Sequence, residues 1–292
     1  MSSMLTLLLS IFTGCMARLN LEQARGLFRW LARILVMGKG VLVRNTTRNI
    51  DLCFPGQSAQ NRKQLVQSSI AETACLVAEL GIFFRWPEER WLALVAGQKP
   101  DLLEEVLSSD RGAVILAPHF GNWEFLGLYL GRLGTMALYN PSLPGWLSKP
   151  LLEARARSGM RLVPLSFGGL KEARQHLGGG GCLAILPDHV PRRQAGVYAP
   201  FFNVEALTMT LAHGLIQSTQ PRVIMGAAKR VKNGFELSFT ELGDDIFSPS
   251  PIKSATAMNA AIEAVVLSDP AQYQWEYKRF RRQQIGRRNY YA

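Results

Sequence analysis

Short, wholly apolar runs alternating with longer segments of helical period constrain this chain more than any other feature. Gly112–Pro118 (GAVILAP) and Cys182–Leu186 (CLAIL) carry no polar side chain and are bounded by turn-forming residues, as a strand buried on both faces should be. Thr135–Tyr139, Arg161–Leu165, Arg222–Ala228 and Phe235–Thr240 read as further strands. Between and around them Asn122–Leu133, Trp146–Ser158, Lys171–Leu177, Ala206–Gln217 and Ile252–Leu267 read as helices. Upstream, Gln60–Phe84 has helical periodicity and ends at Trp86-Pro87, before a short helix from Glu88. Several connections in the first half are too long for hairpins, so the pattern predicts an α/β sheet. The glycines Gly178–Gly181 stop a helix; with no Gly-Lys-Ser/Thr after them they are no P-loop.

A chain of 292 residues is long enough for a substantial core, and 48% hydrophobic with 19% charged excludes disorder and a many-spanning membrane protein. The formal charge of +11 is uneven. Residues 1–49 carry Arg18, Arg25, Arg29, Arg33, Lys39, Arg44 and Arg48 against Glu22 alone. Residues 276–292 carry Lys278, Arg279, Arg281, Arg282, Arg287 and Arg288 against Glu276. What lies between is neutral. Two basic ends suit an anionic partner, and the neutral body counts against a nucleic-acid groove across it.

Met4–Met16 is almost entirely apolar, but as a helix it measures ~20 Å, short of the ~30 Å hydrocarbon layer. No basic residue precedes it, so the n-region of a secretory signal is missing. Leu27–Val43 is apolar with Arg29, Arg33 and Lys39 interrupting it. That pattern fits a basic amphipathic helix on a membrane surface or a short anchor; the alternative is a helix packed on the core. Cys15, Cys53, Cys75 and Cys182 are scattered without a CxxC, which supports neither a disulfide framework nor a zinc site and fits a reducing compartment.

The string Ala117-Pro118-His119-Phe120-Gly121-Asn122-Trp123-Glu124 concentrates the chemistry. His119 falls at the end of a predicted strand, where open α/β sheets place their sites. Asn122 is a good N-cap, which puts Glu124 in a first helical turn. Five residues apart on one helix, His119 and Glu124 would diverge by ~140°. They meet only if the chain turns at Gly121, and then an ionised Glu124 can hold one imidazole nitrogen and leave the other as a base. The alternative is a histidine closing a strand beside an unrelated acid. Neither HEXXH nor GxSxG occurs, so no metal is expected, and a base without a Ser or Cys nucleophile points to direct transfer onto a bound hydroxyl.

His119 with an acid five residues on resembles the HX4D/E motif of glycerolipid acyltransferases, and PHFGNWE resembles the lipid A late-acyltransferase family of Gram-negative bacteria. Matches continue in order through Arg44-Asn45, Arg48-Asn49-Ile50, Cys53-Phe54-Pro55, Asn140-Pro141, Arg155-Ala156-Arg157-Ser158-Gly159, Leu186-Pro187-Asp188-His189, Pro200-Phe201-Phe202, Tyr273-Gln274-Trp275 and Arg279-Arg281. The chain departs where Met4–Met16 is shorter than the family's apolar span, and where Asn203 follows the Phe pair in place of a common Gly.

The resemblance implies a mixed sheet flanked by helices, with a membrane-associated segment over 1–48, a helical region over 49–110 and the α/β core over 111–292. It implies His119 as general base, with Glu124 orienting it and Asp188 replacing or supplementing Glu124; a turn-forming Asp is the alternative for Asp188. Arg155 and Arg157, or plain helix-end charges, and Arg192, or a solvated loop, are the candidates for substrate or carrier phosphate. Asn122, Phe201 and Phe202 complete the substrate-contacting set, the Phe pair being otherwise core. His176, His189 and His213 read as surface or satisfied core histidines. The expected reaction moves a fatty acyl chain from an acyl carrier protein or CoA thioester to a lipid A precursor, without a cofactor, on the cytoplasmic face of the inner membrane. Anionic membrane lipid is then a partner and nucleic acid is not. The rivals are acylation of another glycolipid, a lysophospholipid or an aminolipid, and a non-catalytic lipid binder of the same fold.

Overall fold

The computed structural model describes residues 2–38, 40–97, 101–141, 145–284, 286 and 289–291; Lys39, Arg287 and Arg288 of the basic ends lie outside the described residues. Helices come first: α1 (Ser2–Met16), α2 (Leu21–Met37), α3 (Val41–Cys53), α4 (Ala59–Arg85) and α5 (Glu88–Leu92). Then follow β1 (Val95–Ala96), α6 (Asp101–Leu107), β2 (Ala113–Leu116), α7 (Trp123–Gly131), β3 (Met136–Tyr139), α8 (Gly145–Ala156), β4 (Arg161–Pro164), α9 (Phe167–Gly178) and β5 (Cys182–Ile185). The chain closes with β6 (Gly196–Phe201), β7 (Val204–Met209), α10 (Leu211–Thr219), β8 (Arg222–Val231), β9 (Gly234–Glu241) and α11 (Pro251–Ser268).

Seven strands form one mixed sheet in the order β1-β9-β8-β2-β5-β3-β4. Only the β8–β9 pair is antiparallel; the other pairings run parallel. The two apolar runs seen in the sequence are its centre, β2 beside β5, and every residue of both is buried. Their side chains alternate between two cores. Val114, Leu116, Leu183 and Ile185 join one cluster, and Ala113, Ile115, Cys182 and Ala184 the other, as the two-residue period of a strand requires.

α4 is the one helix among the described residues long and apolar enough to cross a membrane, yet half of its apolar window is buried inside the protein. It feeds both cores, Val66 and Ile70 into one and Ile82 and Phe83 into the other, and so is a core helix. α1 lies along it. At Gly81 an added Cβ would sit 2.6 Å from Met16 Cβ, and Trp86 Nε1 and Arg85 bond the α1 end at Ala17 and Ser10.

Two sequence expectations change. Leu27–Val43 is not one helix but is broken between α2 and α3 around Gly38–Gly40. Residues 206–217, read as helical, split into β7 and α10. β6 and β7 pair as an antiparallel hairpin whose turn residues Phe202 and Asn203 have φ of 49° and 58°. This geometry explains Asn203: after Gly, Asn tolerates left-handed backbone best.

Candidate active site

The register of the sheet builds the site. Leu116 of β2 lies opposite Ile185 of β5 in a parallel pair. His119 and Asp188 each follow by three residues, so they leave the same sheet edge side by side. His119 Nδ1 donates to Asp188 Oδ1 at 2.7 Å, and its backbone N–H donates to Oδ2 at 2.9 Å. The Tyr273 hydroxyl also bonds Asp188. Burial by itself would raise the Asp188 carboxyl, but the charge and the ring and backbone hydrogen bonds of His119, with His189 beside it, hold it far below the ordinary carboxylate range. An ionised acid on Nδ1 fixes the tautomer that leaves Nε2 with its lone pair.

The loop carrying His119 is clamped at every residue. Gly121 has φ 58°, and a Cβ there would lie 2.0 Å from the Ala228 carbonyl oxygen, so only glycine fits. Its N–H donates to Gln272 O, that of Asn122 donates to Ala228 O, and Gln274 N donates to His119 O. Asn122 Oδ1 caps α7 at Phe125 N (2.8 Å) while its Nδ2 donates to Glu79 Oε2 (2.8 Å). Glu79, fully buried on α4, also accepts from Arg25 and Arg230. Both ends of the Asn122 amide are thus engaged by the protein, and the residue ties the start of α7 to α4.

Glu124 does not hold His119. Its carboxylate takes a two-pronged bond from Arg155, at 3.1 Å from Nε and 2.7 Å from Nη2; the acid bonded to His119 is Asp188. Arg157 is turned away as well. It donates to the carbonyls of Phe83 and Phe84, closing the C-terminal end of α4 where carbonyls lack partners. Arg192 is exposed on the loop after Asp188. Phe201 is fully buried against Tyr273 and Phe280, a core residue; Phe202 is half-buried on Phe54 and Trp275.

His189, which reads from the sequence as a surface or satisfied core histidine, lies against His119. Its ring stacks on His119 with centroids 3.8 Å apart and planes 4° apart, and Tyr277 stacks on its other face at 4.0 Å. Trp123 meets His119 edge-on at 4.9 Å. The adjacency of His189 to Asp188 was the available signal, together with the Tyr273-Gln274-Trp275 string. His176, which contacts the Cys182 carbonyl, and His213 on α10 stand outside this cluster. Burial raises the Cys75 thiol to about 12 and the Cys182 thiol to about 11, leaving neither as a thiolate nucleophile at neutral pH. Among the described residues no three His, Cys, Asp or Glu side chains gather as a metal set. A cavity of about 590 Å³ between α11 and β8–β9, lined by residues such as Met225 and Val265, shares no residue with the cluster.

The bacterial lipid A biosynthesis acyltransferase family model matches residues 2–282. A lipid A biosynthesis palmitoleoyltransferase of Escherichia coli strain K12 is 23% identical over 89% of this chain and 86% of its own. A lipid A biosynthesis lauroyltransferase of the same strain is 25% identical, covering 82% and 79%. A lipid A biosynthesis acyltransferase of Haemophilus influenzae is 26% identical, covering 87% and 82%. With a buried Asp–His pair at the sheet edge and a match along nearly its whole length, this chain belongs to the bacterial lipid A biosynthesis acyltransferase family.

Proposed function

We propose that the protein transfers a fatty acyl chain from an acyl thioester, on acyl carrier protein or CoA, to a hydroxyl of a lipid A precursor, with His119 as general base. The observation that carries this reading is the Asp188–His119 pair, with Nδ1 held at 2.7 Å in a chain of this family. Nε2 takes the proton of the acceptor hydroxyl as its oxygen attacks the thioester carbonyl carbon. The carbon–sulfur bond then breaks, and the thiol leaves with the proton returned by His119. Glu124 acts through Arg155, holding its Nε and Nη2 edge on the first turn of α7 and leaving the Nη1 edge of the planar guanidinium for a phosphate or carboxylate of the substrate.

The same reading places the protein on the cytoplasmic face of the inner membrane as a surface-docked enzyme. On α1, Met4, Leu7, Leu8 and Ile11 are exposed, and on α2, Leu27, Trp30, Leu31, Ile34 and Leu35. At spacings of three and four, each set forms one stripe. Phe12 against Phe28, edge-on at 6.0 Å, sets the two helices side by side. Docked along α4, α1 rests on the interfacial layer instead of crossing it.

The test is transfer of labelled acyl groups from both thioesters onto a hydroxylated glycolipid acceptor by purified protein in detergent. Wild type should release free carrier thiol and acylate the acceptor; His119→Ala should fall by at least 10³-fold. Full transfer by His119→Ala rules out the base, and lipid binding without thiol release in wild type leaves a non-catalytic binder.

A further inference from the structure

Asp188 fixes where Nδ1 of His119 points, but a single hydrogen bond from the ring to this carboxylate leaves the ring free to tilt about the Nδ1···Oδ1 axis. The face of His189, 3.8 Å away and within 4° of parallel, removes that freedom, with the Trp123 edge as a second wall. His189 is itself held. Tyr277 covers its other face, and the Tyr277 hydroxyl accepts from Val190 N at 2.8 Å. Its Nε2 donates to Gln274 Oε1 at 3.3 Å. The Gln274 amide is oriented in turn, because its other end bonds the Glu276 carboxylate, which also accepts from Thr73 of α4. A chain of contacts thus runs from α4 through Glu276 and Gln274 to His189.

We propose that His189 is a positioning residue for acyl transfer, its stacked ring fixing the plane in which His119 presents Nε2, and that Gln274 and Glu276 set the orientation of His189. This deepens, and rests on, the assignment of His119 as base. Reaction makes His119 a cation for part of each cycle, and a neutral aromatic face beside it favours that state. The charged groups around His189 are Asp188, His119 and Arg279; burial first, then the charge on His119, lowers its pKa to about 4, so it stays neutral at working pH.

The experiment is steady-state kinetics of His189→Ala, His189→Phe, Gln274→Leu and His119→Ala in the acyl-transfer assay above, with thermal melts for each. A ring tilt that moves Nε2 by about an ångström costs on the order of 10–100-fold. His189→Ala should lose that much in kcat with KM within about twofold, and His189→Phe, which keeps a ring on His119, should recover most of it. Gln274→Leu, which keeps the ring and cuts the tether, should lie between, and carries the test with His189→Phe if the alanine variant does not fold. The proposal is overturned if His189→Ala retains kcat within twofold, or if His189→Phe is as slow as His189→Ala. Should His119→Ala keep the wild-type rate, the base itself fails; should it be inactive while His189→Ala is normal, only the stack fails.

Discussion

Asp188 receives the His119 backbone, the His119 ring and the Tyr273 hydroxyl, so its charge is spent on orienting one imidazole. Asp188→Asn keeps the shape but offers an amide that favours the wrong tautomer. It should lower kcat about 10²–10⁴-fold with KM little changed, as measured by initial rates over acceptor concentration. His189 makes a pH prediction. Its pKa is about 4 in the folded protein, from burial and the neighbouring His119, against 6.5 ordinarily. As pH falls the unfolded chain therefore takes up this proton first. The stability it supports is complete above about pH 6.5 and is lost toward pH 4, by about 1–3 kcal/mol. Denaturant melts at pH 7 and pH 4.5 should show a smaller drop for His189→Gln than for wild type.

At the scale of elements, α2 is built inside out. Its inward face carries Ala24, Arg25 and Ala32, and its outward face carries the large apolar side chains. The buried Arg25 is satisfied by Glu79 and by the Val231 and Gly234 carbonyls of the β8–β9 turn. Through Asn122, the same Glu79 steadies the loop that carries His119. Glu79→Ala would leave buried Arg25 to its carbonyls and the half-exposed Glu22 at 3.5 Å, and buried Arg230 to Glu72 at 3.9 Å, and should cost about 3–5 kcal/mol in a denaturant titration. The hairpin β6–β7 shows why element type was partly illegible: Ala206, Leu207 and Met209 serve a strand pattern or the start of a helical one equally. Pairing with β6, which depends on a turn of two left-handed residues, made the choice.

For the whole molecule, the basic ends divide into two populations. Arg25 and Arg279 are buried, and Arg29 and Arg48 are engaged by Glu72 and the Tyr290 carbonyl. Arg18, Arg33 and Arg281 are exposed. Membrane attraction therefore rests on fewer charges than the formal +11 suggests, at ~1 kcal/mol each, with the apolar stripes adding to them. Trp30→Ser combined with Ile34→Ser and Leu35→Ser should lower co-sedimentation with anionic vesicles at least tenfold without lowering the melting temperature. Wild type should keep part of its binding at 0.5 M salt, where charge attraction is largely screened. The sequence alone determined the buried central strands, the capped helix after Asn122 and the strand-end position of His119, because these follow from local period and backbone chemistry. It did not decide which acid holds His119, that His189 stacks on it, or that Arg157 and Asn122 serve the scaffold. Those are contacts between segments tens of residues apart, and only the strand register and the packing of α4 and the C-terminal segment bring them within hydrogen-bonding range.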